Sequence, residues 1–245
     1  TTSNPKLAMI SHKSLLNHAK NYLKADPKNH YDEYVSVSPL PWIIGQTYDV
    51  AKWCISRMKV NFVEGADSLF EDLREIGPTF VLFSPRVWEQ MAADIRSKIM
   101  DASFLKRFLY KVSMQLMLTK NKIIKKTLCE YLINRWLRDQ LGLSFIKSAA
   151  TGGAALGPDT FKFFVDIGIP LRQLYGQTEQ IGAYTIHKEN DINYDSVGFP
   201  FEGIKIKINN ADKEGIGEII VKNNNGMTGY LNVSEPFLKE GWFFT

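Results

Sequence analysis

Of 245 residues only two are cysteine, Cys54 and Cys129, and they stand far apart with no CxxC and no metal-ligand spacing. That speaks against a disulfide framework or a cysteine zinc site and fits a reducing compartment. Histidine is sparse too: the four, His12, His18, His30 and His187, have no mutual spacing suited to a metal and read as surface or core residues. No apolar run approaches the ~20 residues that span a bilayer, and no signal segment is visible. There is no internal repeat, no low-complexity tract and no GxxxxGK[ST] phosphate loop. Nor is there a large excess of one charge, since 30 Lys and Arg face 26 Asp and Glu for a net +4. Such a mild surplus permits contact with anionic substrates or a membrane surface and demonstrates neither. A 44% hydrophobic content over this length suffices for one large core or a pair of subdomains.

Strand-like runs recur at 34–38, 59–63, 79–83, 145–149, 171–175 and 183–187, with helical patterns between several of them. The alternation predicts an α/β layer with mostly parallel sheets flanked by helices. Residues 88–141 carry no strand signal. Leu105, Leu109, Val112 and Leu116 share one helical face, and Ile124, Leu128, Tyr131 and Trp136 another, which predicts two or three helices turning near Thr119 to Asn121. Cations crowd the outer faces, among them Lys106, Arg107, Lys111, Lys120, Lys125 and Arg138. A solvated face is the first explanation, a membrane-surface contact the second, and nucleic acid the weakest, because no recognition motif accompanies the charge. After Asp195 the pattern changes to period-two alternation at 203–208 and 217–222 around an Asn209-Asn210-Ala211-Asp212 turn, which predicts antiparallel strands with one wet face. The stretch 196–201 reads as the join.

Two tight turns at strand ends carry the chemistry. The string Tyr175-Gly176-Gln177-Thr178-Glu179 follows an apolar lead-in and sets a hydroxyl beside a carboxylate, a pair suited to a hard cation such as Mg2+, with Tyr175 offering a flat face to a base. About twenty residues earlier stands Thr151-Gly152-Gly153-Ala154-Ala155-Leu156. At the start, Thr1-Thr2-Ser3-Asn4-Pro5-Lys6 supplies small hydroxyls, a turn and a lysine, the components of a phosphate clamp. Taken singly, each has a plain reading as well: a capped strand-to-loop turn for the first, a terminus followed by a Ser11-capped helix for the last.

Together and in order, these segments resemble the adenylate-forming superfamily, and within it the long-chain acyl-CoA synthetases. The family order is a TSGTTGxPK loop, a GGA-type adenine segment, YGxTE, then GY and a WxxTGD stretch. The counterparts are Thr1 to Lys6, Gly152-Gly153-Ala154, Tyr175 to Glu179, Gly229-Tyr230-Leu231 and Gly241-Trp242-Phe243-Phe244-Thr245. Ser3 stands where the family usually has Gly, and Trp42 where many relatives carry His, so its indole either shapes an acyl pocket or fills core.

The resemblance implies a large N-terminal domain with α/β sheet subdomains over 1–195, a helical appendage at about 88–141, and the start of an antiparallel, β-barrel-like subdomain over 196–245. It implies ATP-dependent activation of a fatty acid to acyl-AMP with transfer to CoA. Thr1, Thr2, Ser3 and Lys6 would hold the β- and γ-phosphates and Thr178 the α-phosphate region. Glu179 would hold Mg2+, with Tyr175, Gly176, Gln177, Gly152, Gly153 and Ala154 around the adenine. A cytoplasmic protein, peripheral to membrane where it collects lipid, is the implied setting. An acyl-AMP ligase serving a carrier protein and a non-catalytic nucleotide- or acyl-binding relative are the alternatives. The family also places a ribose-binding Asp just past Thr245 and a catalytic lysine in a C-terminal domain, so residues 1–245 alone are expected not to complete the reaction.

Overall fold

The computed structural model describes residues 6–65, 67–117, 134–189, 191–233 and 238–245. Seven strands form its principal sheet: β2 (Glu33–Ser36), β3 (Lys59–Phe62), β4 (Phe80–Phe83), β5 (Ser148–Thr151), β6 (Leu171–Gln177), β7 (Gly182–Ile186) and β8 (Phe199–Pro200). Their spatial order is β3-β2-β4-β5-β6-β7-β8. The first five are parallel and the last two antiparallel. The central strands of such a sheet are covered on both faces, which is why they are buried along their length instead of alternating between core and solvent. Phe80-Val81-Leu82-Phe83 shows this, all four being buried.

Helices α1 (His12–Ala25), α2 (Ile43–Gly45), a seven-residue π-helical stretch (Gln46–Lys52) and α3 (Trp53–Ser56) cover one face. The Ser11 hydroxyl caps α1 by accepting from Ser14 N at 3.1 Å, satisfying a donor the helix cannot. Helices α4 (Leu69–Ile76), α5 (Pro85–Met100), α7 (Arg135–Gln140) and α8 (Pro158–Asp166) serve the other face, with α6 (Phe104–Met117) packed on α5. Pro85 opens α5 at a position where its missing N–H costs nothing.

A second, four-stranded antiparallel sheet orders as β12 (Leu238–Lys239), β13 (Trp242–Phe244), β10 (Glu218–Lys222) and β9 (Lys205–Asn209). A two-residue pairing joins β1 (Ala8–Met9) to β11 (Gly229–Tyr230), tying together segments more than two hundred residues apart.

Three expectations from sequence change. The strand read at 145–149 forms at Ser148–Thr151, because Phe145 is exposed while Ser-Ala-Ala-Thr is small enough to lie between two covered faces. Stretch 196–201 is more than a join, since Phe199–Pro200 pairs with β7 and closes the principal sheet. On α6, Leu105 is 64% exposed and does not share the half-buried positions of Leu109 and Val112. Ile124, Leu128, Tyr131 and the turn near Thr119 to Asn121 lie outside the described residues.

Candidate functional site

The parallel strands β2, β4, β5 and β6 release their chains in the same direction, into 37–42, Ser84, Gly152-Gly153 and Thr178 respectively. Loops at the carboxyl ends of parallel strands are where open α/β sheets bind ligands, since side chains and free backbone groups converge there without disturbing the ladder. Three cavities open at that edge, and Gly153 lines all of them. Its φ of 87° is one that L side chains seldom adopt, and a Cβ there would point into open space. The glycine therefore serves a backbone turn, and its bare surface forms a shared wall.

The cavity on one side, about 600 Å3, lies between Ala154 to Pro158, Gln173 to Gly176, and Tyr194 to Val197. Tyr175 is half-buried in its wall, edge-on to Tyr184 with ring centroids 5.4 Å apart. The Gln173 amide donates to the Ala154 carbonyl at 3.1 Å, holding the glycine turn against β6. A flat aromatic wall with backbone amides nearby suits a heteroaromatic base. Nothing in the residue order announced that Tyr194 to Val197 would join this wall.

The central cavity, about 170 Å3, has Thr47, Gly152, Gly176, Gln177 and Thr178 in its lining. Gly176 is obligatory: a Cβ would stand 2.0 Å from the Gly182 carbonyl oxygen. Thr178 to Gln180 form one turn of 3-10 helix, and Ile181 follows in the left-handed region at φ 67°. A buried β-branched residue there is strained by about 1–3 kcal/mol. Ile181 N donates to Thr178 O at 3.0 Å. The Thr47 hydroxyl stands 2.7 Å from Ile43 O and 3.3 Å from Ile181 O, so the π-helical wall buttresses the strained turn.

The cavity on the far side, about 950 Å3, is mostly apolar, with Val37, Trp42, Val63, Leu69, Phe83 and Val87 in its lining. Trp42 is 62% exposed, so it does not fill core; its indole stands on this cavity's rim. Arg86, Glu89 and Gln90 bring polar groups to the same walls.

Glu179 is held separately. Its Oε1 accepts from the Tyr230 hydroxyl at 2.7 Å, and its backbone carbonyl accepts from Met227 N at 2.8 Å. The Lys6 ammonium lies over the Tyr230 ring, 5.3 Å from its centroid. Burial, followed by the bond to Glu179, pushes the Tyr230 phenol well up, so it stays a donor across the physiological range. The structure thus brings Gly152, Gly153, Ala154, Tyr175, Gly176, Gln177 and Thr178 to one cleft and joins Lys6 to Glu179 through Tyr230. Thr1, Thr2 and Ser3 lie outside the described residues.

Glu179 and its sequence neighbour Thr178 offer oxygen donors only, the kind a hard cation such as Mg2+ takes in preference to a softer metal, while among the described residues no group of three or more His, Cys, Asp or Glu is gathered that could hold a metal. A different charged cluster sits at the opposite ends of the strands, where Asp26 pairs with Lys28 and Arg172 at 2.5 and 2.6 Å and Lys147 pairs with Asp32 at 2.9 Å. Those charges compensate one another within the fold.

Comparison with known proteins bears on the family and the fold. The chain is 30% identical over 264 residues to the human long-chain-fatty-acid–CoA ligase ACSBG1, covering 100% of this chain and 36% of that protein. It is 29% identical over 266 residues to the long-chain-fatty-acid–CoA ligase ACSBG2 of Xenopus laevis, covering 99% and 36%. The chain therefore spans about a third of the length of these curated relatives. Among solved structures, the anthranilate CoA ligase AuaEII in complex with anthranoyl-AMP superposes with a TM-score of 0.70 at 17% identity, over 100% of this chain and 42% of that one. The N-terminal domain of FACL13 from Mycobacterium tuberculosis gives 0.69 at 16%, over 100% and 54%. At such identities the superpositions establish the fold. The AMP-binding enzyme profile matches residues 1–231, and the chain belongs to that family.

Proposed function

We propose that these residues form the nucleotide- and acyl-binding part of a long-chain fatty acid–CoA ligase, which joins a fatty carboxylate to the α-phosphate of ATP, releases pyrophosphate, and passes the acyl group to CoA. The observation that carries this reading is the shared wall at Gly153. An apolar cavity of about 950 Å3 and an aromatic-sided cavity of about 600 Å3 suited to a base meet across one bare glycine, which also lines the smaller cavity that Thr178 borders.

Carboxylate and phosphate repel, and carboxylate is a poor electrophile, so the protein's task is to hold two anions in line and counter the charge that builds up. In this reading Tyr175, Gly152, Gly153, Ala154, Gly176 and Gln177 seat the adenine, and Thr178 orients the α-phosphate. Thr1, Thr2, Ser3 and Lys6 meet the β- and γ-phosphates. Glu179 would hold Mg2+, which supplies a positive counter-charge to the phosphate oxygens when bound. The apolar cavity orders the acyl chain and excludes water from the reacting carboxylate.

The proposal places the division between the α/β part and the antiparallel part near 195–196, with Phe199–Pro200 of the second part returning to the edge of the principal sheet. It also places the protein in the cytoplasm, in peripheral contact with membrane. Among the described residues no helix is long and apolar enough to cross a bilayer. The exposed Phe104, Leu105 and Phe108 beside Lys106, Arg107 and Lys111 are what supports the peripheral contact. Anionic vesicles should therefore retain the protein more than neutral ones, with salt removing the difference.

The decisive test is ATP–pyrophosphate exchange across a panel of fatty acids, using the protein at its full natural length. Glu179→Gln keeps the shape and the acceptor for Tyr230 but removes the charge, and should reduce exchange on the order of 100-fold, while transfer from a supplied acyl-adenylate suffers less. Exchange at the unaltered rate would sink the assignment of Glu179. Transfer to a carrier-protein thiol in preference to CoA would replace the acceptor and leave the adenylation intact.

A further inference from the structure

We infer that Tyr230 is a positioning residue for the Glu179 carboxylate, fixing one of its oxygens so that the other is presented in a single direction to a divalent cation. The inference rests on the reading of Glu179 given above and goes beyond it, because it assigns the orientation of that ligand to a residue 51 positions away in sequence.

The geometry is specific. A 2.7 Å phenol-to-carboxylate bond is short and charge-assisted. It reaches Glu179 from β11, whose register is fixed by the Ala8–Tyr230 and Met9–Gly229 pairs. The backbone on both sides of the contact is pinned too. Met227 N donates to the Glu179 carbonyl at 2.8 Å, and Thr228 N donates to the Met9 carbonyl at 2.8 Å. A Cβ on Gly226 would stand 3.2 Å from the Glu179 carbonyl oxygen, so the segment leading into β11 also approaches this residue closely.

The Lys6 ammonium lies over the same ring, 5.3 Å from its centroid. The ring thus touches both the cation expected at the phosphates and the carboxylate expected at the metal. A carboxylate on a flexible two-carbon stem samples several rotamers in water, and metal affinity falls by the fraction of time it points elsewhere. Groups that orient a ligand in this way typically contribute 10- to 100-fold in metal affinity. The chemical class of the ligand is a divalent cation that prefers oxygen donors, bound together with a nucleoside triphosphate.

Tyr230→Phe removes the hydroxyl and retains the ring under Lys6. Mn2+ is the probe, because its binding to the ATP-loaded protein can be followed directly by electron paramagnetic resonance. The expected result with the full-length protein is Mn2+ affinity weakened about 10-fold, ATP affinity without metal unchanged, and the melting temperature close to that of the unaltered protein. In pyrophosphate exchange the Mg2+ concentration for half-maximal rate should rise by a similar factor, with the rate recovering at high Mg2+. A merely structural role would instead lower all steps alike, including transfer from a supplied acyl-adenylate, and excess Mg2+ would rescue none of them. That pattern, or unchanged Mn2+ affinity, overturns the inference. If Glu179→Gln still abolishes metal binding in the same assay, the reading of the metal ligand survives the failure of Tyr230. If neither variant changes Mn2+ affinity, both fall.

Discussion

The two faces of the principal sheet are packed by different chemistry. Along each strand successive side chains alternate between them: Tyr34, Phe80, Leu82, Ala150 and Leu174 go to one face, and Val35, Val81, Phe83, Ala149 and Leu171 to the other. The second face meets α5, α7 and α8 through Trp88, Met91, Ile95, Leu137 and Phe164, an almost wholly hydrocarbon and aromatic contact. The first meets α1 and the π-helical stretch through Tyr22 and Tyr48, and polar groups are buried among them. Lys52 is 1% exposed, its ammonium 2.8 and 2.9 Å from the Tyr22 and Tyr48 ring centroids with no hydrogen-bond partner. Asp49 accepts from Ser36 Oγ at 2.8 Å through one oxygen, and the other has no partner. His18 is buried with its Nε2 likewise without one. The face built from the helices beside the cleft is thus the one that sacrifices stability, while the other supplies it.

Truncation on the hydrocarbon face should have the largest effect. Trp88 is fully buried between Phe83 and Phe164, with ring centroids 5.4 and 4.7 Å away, and its indole N–H donates to Ala150 O at 3.3 Å. Trp88→Ala should cost about 3–5 kcal/mol in urea unfolding; a loss below 1 kcal/mol would mean that this face is not the main source of stability. On the tyrosine face the sign should reverse. Burial holds the Lys52 ammonium well below its ordinary range, so Lys52→Met, of similar length and without charge, should stabilise by about 1–4 kcal/mol at neutral pH. Because the folded form binds the proton less tightly than the unfolded chain, the unaltered protein should gain stability as pH rises toward 10.5. The Met variant should lose that slope.

The dependence on pH separates two groups on the same face. Burial lowers the His18 imidazole to about 3, with Lys52 contributing. Its stabilising contribution is therefore full above pH 6.5 and declines as pH falls toward 3, by up to about 1.4 kcal/mol per pH unit. Burial raises the Asp49 carboxyl to about 6 against the opposing bond from Ser36, so its contribution is full below pH 3.8 and is lost as pH rises through 6. In melting curves between pH 4 and 6, His18→Gln should make the rise of stability with pH shallower and Asp49→Asn should make it steeper, because the two groups titrate in the same window with opposite signs. Matching slopes for the two variants would contradict the opposite signs.

Much of the principal sheet was legible because its strands are apolar runs bounded by turns. Strands β2, β3, β4, β6, β7, β9 and β10 overlap the runs read from sequence. Two-residue strands such as β8 and β11 exist only through their partners and leave no local pattern. The π-helical stretch was invisible for another reason: Gln46-Thr47-Tyr48-Asp49-Val50-Ala51-Lys52 looks like an ordinary half-polar helix, yet Asp49 and Lys52 face inward. At the cleft, Gly152, Gly153, Gly176 and Thr178 were legible because turns of this geometry demand particular residues. Tyr230's bond to Glu179 was not, since it depends on how β11 pairs with β1 across more than two hundred residues.

The last strand of the principal sheet also bears on self-association. An open sheet edge can recruit a strand from another molecule, and proteins blunt such edges with short strands, proline and charge. Strand β8 is only two residues long, one of them Pro200, which lacks an amide hydrogen. The Lys188 ammonium lies 4.1 Å from the centroid of the Phe199 ring, placing a charge beside the exposed aromatic. This margin offers too short a ladder, and too polar a surround, to serve as a template for fibril growth.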